Sequence, residues 1–308
     1  MRQNLLLAPN QRIEFSDLRY PKYASYKLDG IRCLVYNGSL YSRNWKPFPP
    51  RVQNAFESIC DYSRSQNLVF DGELYVHGMP FSEVTHIVKG GDSLECEKLG
   101  LWLFDALPKS HWDANISDPY TKRLVLLGTT DKLFGDNVHI LRQHFVDLEG
   151  ALSLFNEASC DGFEGLMLRG LLGIYKHGRA TLSDGIIYKF KSWATIDAQI
   201  VGFNQATSMT PEYRVNNTCK DAMGYAKRTS SKNTRVLVDG IGSVVVRHSD
   251  GSTVQVCFKE GCSLRDTLTW QNRHTFIGKW VEYEAMLHGV KDKPRFGRIV
   301  RLRPDLDT

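Results

Sequence analysis

The hydrophobic pattern of this 308-residue chain changes character once, after Trp193, and that change asks for two folding units. Up to that point, alternating apolar residues alternate with stretches at helical spacing. SYKLDGIRCLVYNGSLYSR reads as two strands around an Asn37-Gly38 turn, because Asn-Gly supplies the positive φ angles of a tight hairpin. Val52, Phe56 and Ile59 mark one face of a helix over 50–66, and 118–135 and 147–158 carry the same period. LVFDGELYV, LGLWLFDAL, FEGLMLR and GIIYKFKSW read as buried strands. The expectation for 1–193 is an α+β domain of antiparallel sheets with flanking helices.

Beyond Trp193, IDAQIVGF, IGSVVVRH, STVQVCF and KWVEYEAML are short β segments separated by Gly or polar turns, with a helical stretch near 263–272. Residues 194–308 are therefore expected to close into a small β-barrel of the OB type. A polar insertion, 204–235, separates the first two strands. It carries six Lys/Arg against Glu212 and Asp221, together with Tyr213 and Tyr225. The net charge of +5 also lies in this last third, where 17 Lys+Arg face 12 Asp+Glu. A basic surplus in one unit points to a polyanion partner or to a solvated basic face.

Several classes drop out early. No apolar run approaches the roughly 18 residues of a membrane span. The run Leu5–Ala8 is too short for a signal-peptide core, so an intracellular, soluble protein is expected. Seven cysteines without a CxxC pair form neither a disulfide framework nor a zinc site. No G-x-x-x-x-G-K-[ST] occurs, so a nucleotide must be held by another device.

What does occur is an ordered series: Lys27-Leu28-Asp29-Gly30-Ile31-Arg32, then Asp71-Gly72-Glu73, Leu103-Phe104-Asp105, Glu164-Gly165 and Lys189-Phe190-Lys191. An amine attacks phosphorus only when unprotonated, a state that neighbouring cations such as Arg32, Lys189 and Lys191 favour. Glu73 and Glu164 could anchor a divalent metal or ribose hydroxyls, and Phe104 offers a flat face to a base. Lys189 and Lys191, two apart on a strand, share one side and can grip one phosphate. Asp71 reads as a group satisfying backbone donors, and Gly30 as allowing close backbone approach.

The series resembles the covalent nucleotidyltransferase superfamily and, within it, the minimal ATP-dependent DNA ligases of viruses and bacteriophages. YKLDGIR, YSRNWKPF, FDGELYV, LFDAL, FEGLMLRG, GIIYKFKSW and PRFGRIVRLRPD stand in that family's order over nearly the whole chain. The resemblance implies an adenylation domain (1–193) followed by an OB-fold domain (194–308), ATP as AMP donor, Mg2+ or Mn2+, and a monomer that binds nicked duplex DNA. Lys27 would carry AMP as a phosphoramidate. Arg32 and Arg43 would hold phosphates or the ends of the nick, Glu73 the ribose, and Phe104 the adenine, whose edge Ser25 would contact. Glu164 would hold the metal with Glu73, and Lys189 and Lys191 the α-phosphate. Arg295 and Arg303 would orient pyrophosphate, and Arg179 would reach the nick phosphate. The insertion would clamp DNA through Arg214, Lys220, Lys227, Arg228 and Lys232, with a hinge near Ser192–Thr195. Leu306 stands where the family usually has Lys after Asp305, which leaves that aspartate's part open. The competing readings are an mRNA-capping guanylyltransferase forming lysyl-GMP, an RNA ligase, and a catalytically inactive DNA-end-binding protein.

Overall fold

The computed structural model describes residues 3–210, 235–286 and 294–306, and the positions 211–234 of the insertion lie outside them. The described chain divides into two compact units, with the break between Lys191 and Ser192.

In the first unit the strands are β1 (Lys22–Lys27), β2 (Ile31–Tyr36), β3 (Ser39–Ser42), β4 (Leu68–Tyr75), β5 (Gly100–Pro108), β6 (Val138–Ile140), β7 (His144–Val146), β8 (Gly165–Arg169) and β9 (Ile187–Lys191). They form two sheets, ordered β3-β2-β4-β5-β6 and β7-β1-β8-β9. The helices are α1 (Pro50–Ala55), α2 (Glu57–Gln66), α3 (Phe81–Gly90), α4 (Ser93–Cys96), α5 (Lys109–Ala114), α6 (Tyr120–Gly128) and α7 (Leu148–Cys160). The Asn37-Gly38 hairpin forms as expected: both residues have positive φ, and β2 pairs with β3. The segment before it differs from the expectation. The strand holding Lys27 does not continue into β2 but belongs to the other sheet, so Leu28–Gly30 carries the chain from one sheet to the other. Gly30 is required there, because a Cβ would lie 2.3 Å from the Leu74 carbonyl oxygen. The helix expected over 50–66 is broken into two at Phe56, and the sheet is not purely antiparallel, since β5 and β6 run parallel.

Alternation along the strands sorts their residues. On β2, Ile31, Cys33 and Val35 enter a core packed by Val52, Phe56 and Ile59 of the helical layer. Each such side chain is worth about 1.5–3 kcal/mol on full burial. Arg32 and Leu34 take the opposite face. The ladder between β4 and β5 slips at one place: Asp71 pairs with Asp105, but Gly72 pairs with Leu103. The extra residue is Phe104. This bulge lets Leu103 and Ala106 share the core while Phe104 leaves it. In the second sheet, Ala24, Leu166, Leu168 and Phe190 pack on Leu154 and Ala158 of α7. A further apolar cluster joins the two sheets: Leu34, Val69 and Leu107 meet Ile187, covered by Leu5, Leu6 and Ala8 of the N-terminal segment.

The second unit contains β10 (Ala194–Met209), β11 (Arg235–Arg247), β12 (Thr253–Phe258), the short α8 (Leu264–Thr267), β13 (Trp280–Met286) and β14 (Arg295–Leu302). Five strands close into a barrel in the order β10-β11-β12-β14-β13. The parallel pair β12–β14 completes the ring around Ile200, Val246, Val256, Tyr283 and Ile299. The insertion begins later than its polarity suggested. Residues 204–209 and Arg235 are still paired strand, with Met209 opposite Arg235. Among the described residues no helix is long and apolar enough to cross a membrane.

Candidate active site

Three strands of the smaller sheet set out the site in rows. Lys27 lies opposite Gly165, which lies opposite Lys191; Ser25, Met167 and Lys189 form the next row, and Tyr23, Arg169 and Ile187 the third. Gly165 is what lets β8 pass between the two lysine strands, since it sits at φ +141° and a Cβ there would lie 2.0 Å from the Phe190 carbonyl oxygen. From the larger sheet, β2 contributes Arg32, β4 Glu73 and β5 Phe104. Together they line one cleft of about 340 Å³, into which Ser25, Lys27, Arg43, Arg179, Lys189 and Lys191 also project. Its lining holds seven cationic side chains and one carboxylate, the balance expected of a pocket for a polyphosphate.

The expected cluster of positive groups around Lys27 is present, with a carboxylate at its centre. Buried Glu164 accepts a hydrogen bond from the Lys27 ammonium with Oε2 and pairs with Lys191 Nζ at 2.6 Å through Oε1. Burial alone would raise the Glu164 carboxyl, but the Lys27 and Lys191 ammoniums outweigh it and hold it below the ordinary value. Glu73, half-buried nearby, goes the other way. Burial lifts its carboxyl to about 7 against the pull of Arg32 and Lys27, and the Glu164 charge adds to the rise. Lys189 is lowered to about 8, by burial first and then by Lys191, Arg179 and Lys27.

Arg32 is clamped. Its Nε and Nη2 donate to the two oxygens of fully buried Asp71, each at 2.6 Å, and Nη2 also reaches the Leu6 carbonyl at 3.2 Å. Tyr175 donates its hydroxyl to the same carboxylate. Asp71 is therefore the anchor of the arginine, not a group that merely satisfies backbone donors as its sequence context suggested. Phe104 carries two guanidiniums over its ring, Arg32 at 4.6 Å and Arg169 at 4.9 Å. A base stacked on that ring would take the place of one of them.

The N-terminal segment, read from sequence only as a short apolar run, forms a wall of the cleft through Leu6, Leu7, Ala8 and Asn10. It is tied down by side chains of the site: Arg179 donates to the Ala8 carbonyl at 2.6 Å, and Lys189 lies 3.5 Å from the Asn10 side-chain oxygen. Asp71 was within reach of sequence reasoning, being two residues along a strand from Glu73 and so on the same face, and Arg169 lies four residues along β8 from Gly165. Nothing in the sequence pointed to Tyr175 or the N-terminal wall.

Two further groups of expected residues belong to the other unit or lie outside the described residues. Arg295 and Arg303 belong to the barrel unit, where Arg303 pairs with Asp197 at 2.9 Å and Arg295 lies 5.3 Å from the Phe296 ring. Arg214, Lys220, Lys227, Arg228 and Lys232 lie outside the described residues. Among the described residues no three His, Cys, Asp or Glu side chains converge as a metal cage. Glu73 and Glu164 still offer hard oxygen donors beside a phosphate-sized cleft. That suits Mg2+, which commonly binds through one or two carboxylates plus substrate phosphates.

Residues 14–191 match the profile of the ATP-dependent DNA ligase domain. The whole chain is similar in fold to solved ligases. A Lig E DNA ligase, described as binding DNA with a minimal scaffold, is 20% identical with a TM-score of 0.65, the match covering 98% of this chain and 100% of that one. The Chlorella virus DNA ligase-adenylate is 24% identical with a TM-score of 0.52, covering 98% of each chain. The bacteriophage T7 ATP-dependent DNA ligase, solved with ATP, is 18% identical with a TM-score of 0.51, covering 97% of this chain and 98% of that one. No curated protein sequence matches this one.

Proposed function

The chain belongs to the ATP-dependent DNA ligase family, and from that premise we propose that it seals nicks in duplex DNA through an adenylate carried on Lys27. The observation that carries the proposal is the Lys27–Glu164–Lys191 arrangement at the floor of a cleft lined with further cations.

In the first step the Lys27 Nζ lone pair forms a bond to the α-phosphorus of ATP while the bond to pyrophosphate breaks, and the amine gives up its proton. An ammonium has no lone pair, so Lys27 must first pass a proton to water or to the Glu164 carboxylate that accepts its hydrogen bond. Glu164 and Glu73 would hold a divalent cation, which would supply neutralisation of the negative charge that develops on the triphosphate. Lys189 and Lys191 are placed to hold the α-phosphate on the same sheet face as Lys27, and Phe104 and Ser25 to hold the base. Arg32 keeps Nη1 for phosphate, because its other two donor nitrogens are committed to Asp71. In the second step a 5′-phosphate oxygen of the nick attacks the adenylate phosphorus and the Lys27 N–P bond breaks. In the third, the adjacent 3′-hydroxyl attacks the 5′-phosphorus and AMP departs. Arg43 and Arg179, at the cleft, suit the nick ends.

The closed barrel has the strand count and parallel closure of an OB fold, and we assign it DNA binding together with the insertion. Arg295 and Arg303 are assigned to pyrophosphate, which requires the hinge near Ser192–Thr195 to close for adenylation and open for DNA.

The test is intact-mass measurement after exposure to ATP and Mg2+, followed by sealing of a singly nicked duplex. An AMP adduct mapped to Lys27, absent in Lys27→Ala, and a sealed DNA product are expected. An adduct at another residue, or sealing by Lys27→Ala equal to the parent, would refute the assignment. An RNA-strand nick run alongside addresses the RNA-ligase reading, and GTP the guanylyltransferase reading.

A further inference from the structure

We infer that Trp45 is a positioning residue for Arg43. It anchors the turn that presents this arginine to the cleft, and through the arginine it acts on the ends of the nick. The inference rests on the ligase reading above and extends it to how the groups that meet DNA are held in place.

The starting point is a strained residue. After β3 the chain turns back through a loop of three residues, Arg43, Asn44 and Trp45, and Pro47 pairs antiparallel with Tyr41. The Ser42 N–H donates to the Lys46 carbonyl and the Trp45 N–H to the Ser42 carbonyl, both at 2.8 Å. The third residue of such a loop takes the left-handed conformation, which Gly adopts without strain. Here that residue is Trp45, at φ +60°. A bulky side chain at positive φ is an outlier that persists only where its surroundings over-determine it, and such outliers gather at functional sites.

What holds Trp45 comes from distant parts of the chain. Its side chain is 8% exposed and packs against the rings of Tyr36, Tyr41 and Trp112, at 5.3, 5.4 and 6.2 Å. Its Nε1–H donates to the Gln3 carbonyl at 2.5 Å, and Leu5, Leu6 and Ala8 of the same N-terminal segment share its apolar cluster. That segment also accepts from Arg32 at the Leu6 carbonyl and from Arg179 at the Ala8 carbonyl. The three arginines assigned to phosphates or nick ends therefore take their positions from one stretch of chain. Arg32 and Arg179 do so through their own side chains, and Arg43 does so through Trp45, two residues on in its turn.

Of the three loop residues only Trp45 is buried, so it is the loop's own hold on the core. A long arginine side chain gives up much rotamer freedom when it grips a phosphate. If the backbone beneath it also moves, that freedom must be given up as well. Fixing the turn in advance removes this part of the cost, and a misplacement of about 1 Å is enough to slow a reaction on the order of 100-fold. Trp45 thus exchanges local backbone strain for a fixed origin of the Arg43 side chain.

The test uses protein charged with AMP beforehand, freed of ATP and mixed with a singly nicked duplex. The sealing rate is read against nick concentration for the parent, Trp45→Gly, Arg43→Ala and the double variant. Glycine suits the φ of the turn, so Trp45→Gly removes the anchor without adding strain. It should still take AMP on Lys27 from ATP, and should need on the order of 10-fold more nick for half-maximal sealing. In the Arg43→Ala background the same replacement should change that concentration by less than about twofold, because the arginine it positions is gone. A merely structural tryptophan would cost the same factor in both backgrounds, and that result overturns the inference. So does a Trp45→Gly protein that seals like the parent at every nick concentration, or one whose loss lies in taking AMP from ATP. Should Trp45→Gly fail to fold, Trp45→Phe, which keeps an aromatic ring and loses the bond to Gln3, carries the same cycle with a smaller factor. A parent that takes no AMP on Lys27 refutes the ligase mechanism itself, an outcome distinct from a charged parent whose demand for nick ignores Trp45.

Discussion

Replacing Asp71 by Asn tests whether the clamp on Arg32 is structural as well as functional. Asp71 is completely buried and holds Arg32 by two charged hydrogen bonds of 2.6 Å, with the Tyr175 hydroxyl as a third donor. The amide has nearly the same volume, but it offers one acceptor oxygen instead of two and turns an N–H toward the guanidinium. Removing one partner of a buried pair costs about 3–5 kcal/mol, chiefly because the surviving charge is left without compensation. The amide still accepts one bond, so about 3 kcal/mol is a reasonable magnitude. For a unit of this size each kcal/mol shifts the midpoint by about 2–4 °C, which gives a fall of about 6–12 °C. Calorimetry would read the shift, and adenylation of the same sample would separate it from loss of chemistry. Tyr175→Phe, losing only one of the three donors, should fall by a smaller amount. A double replacement, Arg32→Met with Asp71→Leu, should recover part of the stability of Asp71→Asn while remaining inactive, because no unpaired charge is left behind. A melt of Asp71→Asn within 2 °C of the parent (about the error of such an estimate) would refute the reasoning.

Glu73 predicts a pH effect with a definite sign. Its folded value of about 7 lies above the ordinary value of 4.5, so the folded protein binds more protons between those limits. Stability therefore falls as pH rises from about 4.5 to 7, and Glu73→Gln should melt higher than the parent at pH 8 while matching it near pH 4.5. Gly165→Ala forces a Cβ against the Phe190 carbonyl, so β8 and β9 must part. The variant should lose adenylation along with several degrees of melting temperature, by the same two measurements. Deleting residues up to Asn10 removes the carbonyls that Arg32 and Arg179 grip and uncovers the apolar cluster around Trp112 and Ile187. Dye binding to exposed apolar surface should rise, and ATP should stabilise the shortened protein less than the parent.

The order of the motifs, the strands that carry them and the Asn37-Gly38 turn were legible because each depends on neighbours in sequence. Alternation fixes the face of a side chain, and turn chemistry fixes a local φ. That Lys27, Glu73, Glu164, Lys189 and Lys191 would share a site was legible only through the family resemblance, since no local rule brings strands so distant in sequence together. Three things remained for the tertiary structure to decide. The chain changes sheets at Leu28–Gly30, so Lys27 and Arg32 face each other across a cleft instead of lying along one hairpin. Tyr175 reaches Asp71 from 104 residues away, and Arg179 ties the N-terminal segment over the site from 171 residues away. Arg169, finally, is buried against the rings of Phe104 and Tyr120 with no ion pair among the described residues. Periodicity determines which side of a strand a residue occupies; which distant segment waits on that side depends on how the sheets stack, and only the folded chain contains that information.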